Sequence, residues 1–452
     1  MGVGHAPAHA NPKVEPRAAL EPLAKELVDG EYCGGLVVAL IPAAGPPQIL
    51  AWGETVRGNH KAPDGNTVFE IGSASKVFTS LLLADLVTRK QLTLETPVAK
   101  LLPPKTKLPR GKREITVLDL ATHTSGLPRM PDNFHPADPN NPYADYTVDQ
   151  LYSFLGTATL SHEPGTTYDY SNLGAGLLGQ ALARRGNAEW AALVEHQIAH
   201  PLAMTSTMFT LTDDARRRLA QGYDPDGEPA SNWDLAALAG AGALRSTAVD
   251  MAAFVKAEIA ATHGSSSPLA KAMALSQAPQ RNLGVDASTG TIGLAWHIKP
   301  DGTIWHNGQT GGYHSFVGFR PGSQLGIVVL ASGASEAIDK LGAAALATLA
   351  GDPVPATLGL PPPGPPVAEA VLETYAGTYV LKPTFSMTVS RTGAKLFVQA
   401  TGQPRFRLHA TSQTEFSLHA VAASVTFERD AKGKVTGLVL HQGGQDQRAT
   451  RN

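Results

Sequence analysis

Phe69-Glu70-Ile71-Gly72-Ser73-Ala74-Ser75-Lys76-Val77-Phe78-Thr79 is the stretch on which the reading of this chain turns. Val77, Phe78, Leu81, Leu82 and Leu86 recur at helical spacing, and no charge falls between Lys76 and Asp85. The spacing predicts a helix over 73–87, largely buried in the interior. A lysine in the first turn of such a helix costs desolvation unless it is neutral or partnered, which favours a functional reason for it. Positions i and i+3 share a helix face, so Lys76 lies within reach of Ser73, while the helix start offers N–H groups where an oxyanion would develop. A hydroxyl with a base and an oxyanion donor is the outfit of an acyl-transfer nucleophile. Ser-x-x-Lys is expected about once by chance in a chain of this composition, so its setting carries more weight than its presence.

Outward from that helix, the flanking segments read as a sheet assembled from both ends of one domain. Residues 16–29 form an amphipathic helix ended by Gly30, followed by strands 35–41 and 48–56 around the turn-forming Ala43-Ala44-Gly45-Pro46-Pro47, and a short strand 67–71. The middle, from about 90 to 290, is mostly helical, with helices over 183–199 and 247–261 between Pro- and Asn-rich loops. Strand character returns at 293–298, 304–306, 315–319 and 326–330, and a helix over 333–350 closes the domain. Pro353, Pro355, Pro361, Pro362, Pro363, Pro365 and Pro366 then mark a stiff linker. Seven short strand patterns between 378 and 441 imply a small all-β barrel or sandwich. The expected division is 15–350, a linker 351–370, and a β domain 371–450.

The 452 residues carry 37 Lys and Arg against 39 Asp and Glu, a net charge of -2, and show no basic stripe, so nucleic acid is not an expected partner. No apolar run reaches the roughly 18 residues of a membrane-spanning helix. The single cysteine, Cys33, has no disulfide partner and reads as a small buried residue. His196 and His200 stand at i and i+4 but lack the glutamate of HExxH, and they read as surface or capping residues. No metal and no cofactor are implied.

Two further motifs complete a constellation. Tyr170-Ser171-Asn172 is the one Tyr-x-Asn in the chain, and it leads into the small-residue segment Leu173–Gly179. A tyrosine beside a cationic lysine loses its proton more easily and then serves as a base; the structural alternative is a core tyrosine at a helix start. His306-Asn307-Gly308-Gln309 ends a strand pattern. On an edge strand lining a cleft, Gly308 would permit close approach, and the Gln309 N–H would complete an oxyanion hole with the N–H of Ser73. His314 either lines the same cleft or simply sits on a strand.

In that order the three motifs resemble the penicillin-recognising serine hydrolases, specifically the class C β-lactamase-like group. Phe69–Thr79, Leu118-Asp119-Leu120-Ala121-Thr122-His123-Thr124-Ser125-Gly126-Leu127-Pro128, Pro164–Asn172 and Gly242–Met251 are similar to segments of that family in the expected order. The resemblance covers about residues 15–350, and the β domain looks like the lipocalin-like appendages of some members. It implies an α/β (α+β) fold of the β-lactamase/transpeptidase type: an antiparallel sheet with flanking helices and a helical subdomain, plus the small C-terminal barrel. Carried over, it makes Ser73 the nucleophile, Lys76 and Tyr170 the pair that shuttles its proton, and Asn172 a donor to substrate or partner of Lys76. His306, Gly308, Gln309 and His314 would meet substrate, with Ser73 and Gln309 supplying the oxyanion N–H groups. His123 and Ser125 fall in a structural loop of the family.

One position departs from the pattern. Where typical β-lactamases place a lysine this chain has His306, and a neutral imidazole does not fix a carboxylate as an ammonium does. The expected substrate is a small molecule or short peptide: a β-lactam or D-alanyl peptide first, a carboxylic ester or the substrate of a D-aminopeptidase second. A penicillin-binding or sensing protein that acylates and turns over poorly is the third reading. The motifs say nothing of oligomeric state. Ala8-His9-Ala10 resembles a signal-peptidase site whose apolar stretch has been trimmed, which points to a periplasmic or secreted enzyme.

Overall fold

The computed structural model describes residues 15–284 and 290–452; the Ala8-His9-Ala10 pattern lies outside them. The part before the Pro-rich segment runs α1 (Pro16–Asp29), β1 (Gly35–Ile41), β2 (Gln48–Gly53), β3 (Val68–Glu70), α2 (Ser75–Thr88), α3 (Val117–Ala121), α4 (Val148–Leu155) and α5 (Asn172–Gly186). It continues through α6 (Trp190–Val194), α7 (Asp213–Arg218), β4 (Arg245–Thr247), α8 (Ala248–Ala261), α9 (Pro268–Gln277), β5 (Arg281–Asn282), β6 (Thr291–Ile292) and β7 (His297–Ile298). β8 (Ile304–Gln309), β9 (His314–Arg320), β10 (Leu325–Ala331) and α10 (Ala337–Ala350) end it.

The sheet is antiparallel in the order β2-β1-β10-β9-β8-β7-β6-β5, so strands from the two ends of this unit meet where β1 pairs with β10. Successive side chains of a strand point to opposite faces, and β1 is buried on both. Val37, Ala39 and Ile41 enter the core shared with α2 and α8, while Leu36, Val38 and Leu40 pack with α1 and α10. That two-sided burial explains an unbroken apolar run where a half-exposed strand would alternate. Each of the Val, Leu and Ile side chains contributes about 1.5–3 kcal/mol, which pins the register that carries β8.

α2 is buried from Ser75 to Asp85, with Phe78 stacked on Phe254 of α8 at 4.4 Å between ring centroids. Among the described residues no helix is long and apolar enough to cross a membrane, and no cluster of His, Cys, Asp and Glu has metal-binding geometry.

Several expected elements differ. The helix read over 183–199 is broken, because Asn187 turns left-handed at φ 47 and the chain restarts at the buried Trp190. His196 and His200 are exposed beyond it. The strand read over 293–298 exists only at its edges: the Gly293 N–H turns back to the Trp296 carbonyl at 2.7 Å, and Ala295 adopts φ 66, which drives Trp296 into the core. Between 90 and 171 the helices α3 and α4 are short and loops prevail.

After the Pro-rich segment, α11 (Glu369–Tyr375) leads into β11 (Gly377–Lys382), β12 (Phe385–Thr392), β13 (Lys395–Ala400), β14 (Arg405–Ala410), β15 (Glu415–Leu418), β16 (Ala423–Arg429), β17 (Val435–Gln442) and β18 (Gln445–Arg451). They close into an eight-stranded barrel, with β18 pairing back to β11. Closure removes the sheet edges, and the interior is filled by side chains such as Tyr379, Phe416, Phe427 and Leu438. The barrel meets the preceding part of the chain through Arg407, whose backbone N–H donates to Asp226 at 2.7 Å and whose guanidinium pairs with Glu31 at 2.9 Å. His419 stacks between Tyr32 and His409 in the same contact.

Candidate active site

The turn before α2 is built by two glycines. Gly72 adopts φ 51, in the left-handed region that glycine enters without strain, and a Cβ on it would stand 2.7 Å from the Gln309 nitrogen. A Cβ on Gly308 would stand 2.0 Å from the Ile71 carbonyl oxygen and 2.7 Å from the Ser73 nitrogen. The absent side chains let β8 lie directly against the Gly72–Ala74 turn, with the Gln309 nitrogen beside Gly72 and the Ser73 nitrogen beside Gly308. On β8, β7 pairs with Ile304 and Trp305 alone, so the 306–309 half of β8 is an edge on that side.

Within this frame Lys76 is buried, and its Nζ lies 2.9 Å from Ser73 Oγ, 2.9 Å from Asn172 Oδ1 and 2.7 Å from the Ala241 carbonyl. Burial pushes the amine well below its ordinary range, and the positive charge of Arg129 adds to this. Neutral Lys76 has two N–H groups for Asn172 and Ala241 and one lone pair left to accept the Ser73 O–H. Protonated, it donates to all three. The same three partners therefore satisfy both states, which is what a proton acceptor in a dry site needs.

Tyr170 faces Ser73 from the other side. Burial raises its hydroxyl to about 12, and proximity to Ser73 and Arg129 only partly opposes this. Desolvation thus outweighs the neighbouring charges at Tyr170 and favours the protonated phenol, while at Lys76 it favours the neutral amine.

The Thr122–Gly126 loop clamps Tyr170 in place. Thr124 and His123 carbonyls accept from Gly165 and Asp169 N–H at 2.7 and 2.8 Å, and His123 Nδ1 accepts the Ser171 N–H at 3.1 Å. The His123 ring lies on Tyr170 at 4.3 Å between centroids. His123 sits at φ 55, a conformation that costs a non-glycine residue about 1–2 kcal/mol and that these bonds hold in place. Ser171 caps α5 by accepting the Gly174 N–H at 2.8 Å, which sets Asn172 at the first turn with its amide on Lys76.

The remaining expected residues divide. Gly308 and Gln309 lie against the Gly72–Ala74 turn, and Asn172 is bonded to Lys76. The His306 ring is wholly buried, 5.3 Å from His297, and burial holds it well below its usual range. It presents no surface to substrate, contrary to its expected contact role, because inward-facing residues of β8 alternate with outward-facing ones. His314 is buried on β9 opposite Gln309, with Nδ1 2.9 Å from Gln309 Oε1 and Nε2 2.7 Å from Asp339, which also accepts from Asn307 at 2.6 Å. It braces Gln309 rather than lining the cleft. The reading missed Ala241, whose backbone carbonyl leaves no side-chain signature, and Arg129, whose only signal is a charge directly after Pro128.

The model of the Beta-lactamase family matches residues 20–352, and that of a domain of unknown function, DUF3471, matches 361–451. The D-alanyl-D-alanine-carboxypeptidase/endopeptidase AmpH of Escherichia coli K12 is 31% identical over 310 residues, covering 66% of this chain and 79% of that protein. A crystal structure of a β-lactamase/D-alanine carboxypeptidase from Yersinia pestis superposes with a TM-score of 0.61 at 26% identity, over 70% of this chain and 92% of that one. The octameric penicillin-binding protein homologue from Pyrococcus abyssi shares the fold over 96% of this chain and 98% of its own, with a TM-score of 0.64 at 20% identity. With its matched segments running through nearly the whole catalytic part, this chain belongs to the Beta-lactamase family of penicillin-recognising serine hydrolases.

Proposed function

We propose that the protein cleaves amide bonds of β-lactams or D-alanyl peptides through an acyl-Ser73 intermediate. The observation that carries this reading is the buried Lys76 amine shared between Ser73 Oγ and Asn172 Oδ1. Ser73 Oγ attacks the carbonyl carbon as its proton passes to the Lys76 lone pair. The oxyanion that forms is received by the N–H groups of Ser73 and Gln309. As the carbon–nitrogen bond breaks, Tyr170 gives its proton to the departing amine, and the Lys76 ammonium restores it. Water then attacks the acyl carbon; it loses its proton to the same relay, and Ser73 leaves as the hydroxyl. The hydrolase unit of this proposal is residues 15–350, joined by 351–370 to the β domain 371–450, and a cell-wall peptide would be met after export.

A second reading, a carboxylesterase, is favoured by one observation: the buried, neutral His306 puts no cation on the β8 wall. Parallel assays of nitrocefin, D-alanine release from an acyl-D-Ala-D-Ala peptide, and 4-nitrophenyl acetate decide between them. Turnover of either of the first two supports the amidase. Ester cleavage alone replaces it with the esterase, and a stable penicilloyl adduct without turnover replaces both with a binding protein.

A further inference from the structure

Arg129 follows the loop that clamps Tyr170, and its backbone is held as firmly as the catalytic groups: its carbonyl accepts the N–H groups of Asn172 at 3.0 Å and Leu173 at 3.2 Å. The side chain is exposed, with the guanidinium carbon 5.1 Å from the Tyr170 ring centroid. Among the described residues no carboxylate forms a salt bridge with it and its side chain donates no hydrogen bond. Other arginines of the same part are held by carboxylates: Arg113 by Asp119, Arg245 by Glu70, and Arg320 by Asp301 and Asp352. Lys76, the other cation-forming group of the site, is buried and taken up by Ser73, Asn172 and Ala241. On β8 and β9 His306 is buried and Asp339 is the charge bonded to the strand pair, so this pair offers a substrate anion no exposed cation near Gln309, whereas the Arg129 side chain is exposed.

We infer that Arg129 is the substrate-anchoring residue of this site and receives a carboxylate of the substrate by charge-assisted hydrogen bonds from its planar fork, the Tyr170 ring holding the guanidinium by a cation–π contact. The inference rests on the proposed Ser73 hydrolase reaction and adds that its substrates are anionic. A donor fixed on the Tyr170–Asn172 side aligns the scissile carbonyl with Ser73, and the missing cation of β8 is thereby replaced from another loop.

The test compares substrates that differ only in charge: 4-nitrophenyl hydrogen adipate with 4-nitrophenyl hexanoate, and an acyl-D-Ala-D-Ala acid with its C-terminal amide. Wild type should favour the anionic member of at least one pair, with kcat/KM falling as salt rises. In Arg129→Gln the anionic-to-neutral ratio should drop tenfold to a hundredfold, mainly through KM, and Arg129→Lys should recover part of it. An equal loss on both members of each pair would make Arg129 a structural residue or an activator of Tyr170, and no loss at all would make it an ordinary surface cation; either overturns the inference. If wild type turns over none of the four substrates, the proposed reaction fails first, and the two failures are thereby distinguished.

Discussion

Gly308→Ala should cripple catalysis while leaving the protein folded. The added carbon would begin 2.0 Å from the Ile71 carbonyl oxygen, 2.7 Å from the Ser73 nitrogen and 2.8 Å from the Ala74 nitrogen, all of them backbone atoms that no rotamer change relieves. Cβ atoms essentially never approach below 3.0 Å, so β8 must retreat from the turn by about 1 Å. An oxyanion donor works at roughly 2.7–3.1 Å, and the same retreat takes the Gln309 N–H out of that range. Loss of one such donor costs about a hundredfold to a thousandfold in kcat, or roughly 2.7–4 kcal/mol of transition-state stabilisation. The assay is steady-state hydrolysis of the best substrate with circular dichroism and thermal unfolding on the same samples. A folded Gly308→Ala variant with kcat within threefold of wild type would refute the placement of the oxyanion hole.

Three further outcomes follow from the site and its surroundings. The acid limb of kcat/KM should report protonation of Lys76, since the ammonium has no lone pair for the Ser73 proton; in Lys76→Met the residual rate should lose that limb, and a limb that persists would assign the base elsewhere. Tyr170→Phe should cost about a hundredfold or more on an amide but much less on a 4-nitrophenyl ester, whose phenolate departs without a proton, and equal losses would remove Tyr170 as the proton donor. Glu258 is buried and raised from 4.5 to about 8, so the folded state keeps a proton that the unfolded state releases. Its contribution is fully present below about pH 4.5 and is lost as pH rises towards 8, roughly 4–5 kcal/mol in all. Glu258→Gln should therefore unfold at a higher temperature than wild type at pH 8 and show little difference at pH 4.5, and a variant no more stable at pH 8 would contradict that burial cost.

What the sequence disclosed depended on whether the signal was local. The α2 pattern and the seven barrel strands are carried by apolar spacing, and the structure contains them. β18 was not legible, because Gln445–Arg451 points a single apolar residue, Ala449, into the barrel and reads otherwise as a polar tail. Its strand character comes from pairing with β17 and β11, which only the closed fold supplies. Within the site, Ser73, Lys76 and Asn172 were legible as motifs, and the structure draws them together. The Ala241 carbonyl, 165 positions from Lys76, was not, since backbone acceptors have no residue signature. The effect of burial on Tyr170 and Lys76 was not legible for a related reason: sequence shows that the two groups are near each other but not that both are buried, and desolvation favours the neutral form of each.

The most direct test of the account is rapid-quench intact mass spectrometry with peptide mapping, after mixing the protein with a penicillin and separately with 4-nitrophenyl acetate. The account predicts a penicilloyl or acetyl adduct on the peptide carrying Ser73, formed within the first turnover, and no adduct or turnover in Ser73→Ala. Undiminished turnover by Ser73→Ala, or an adduct mapped to another residue, would contradict it.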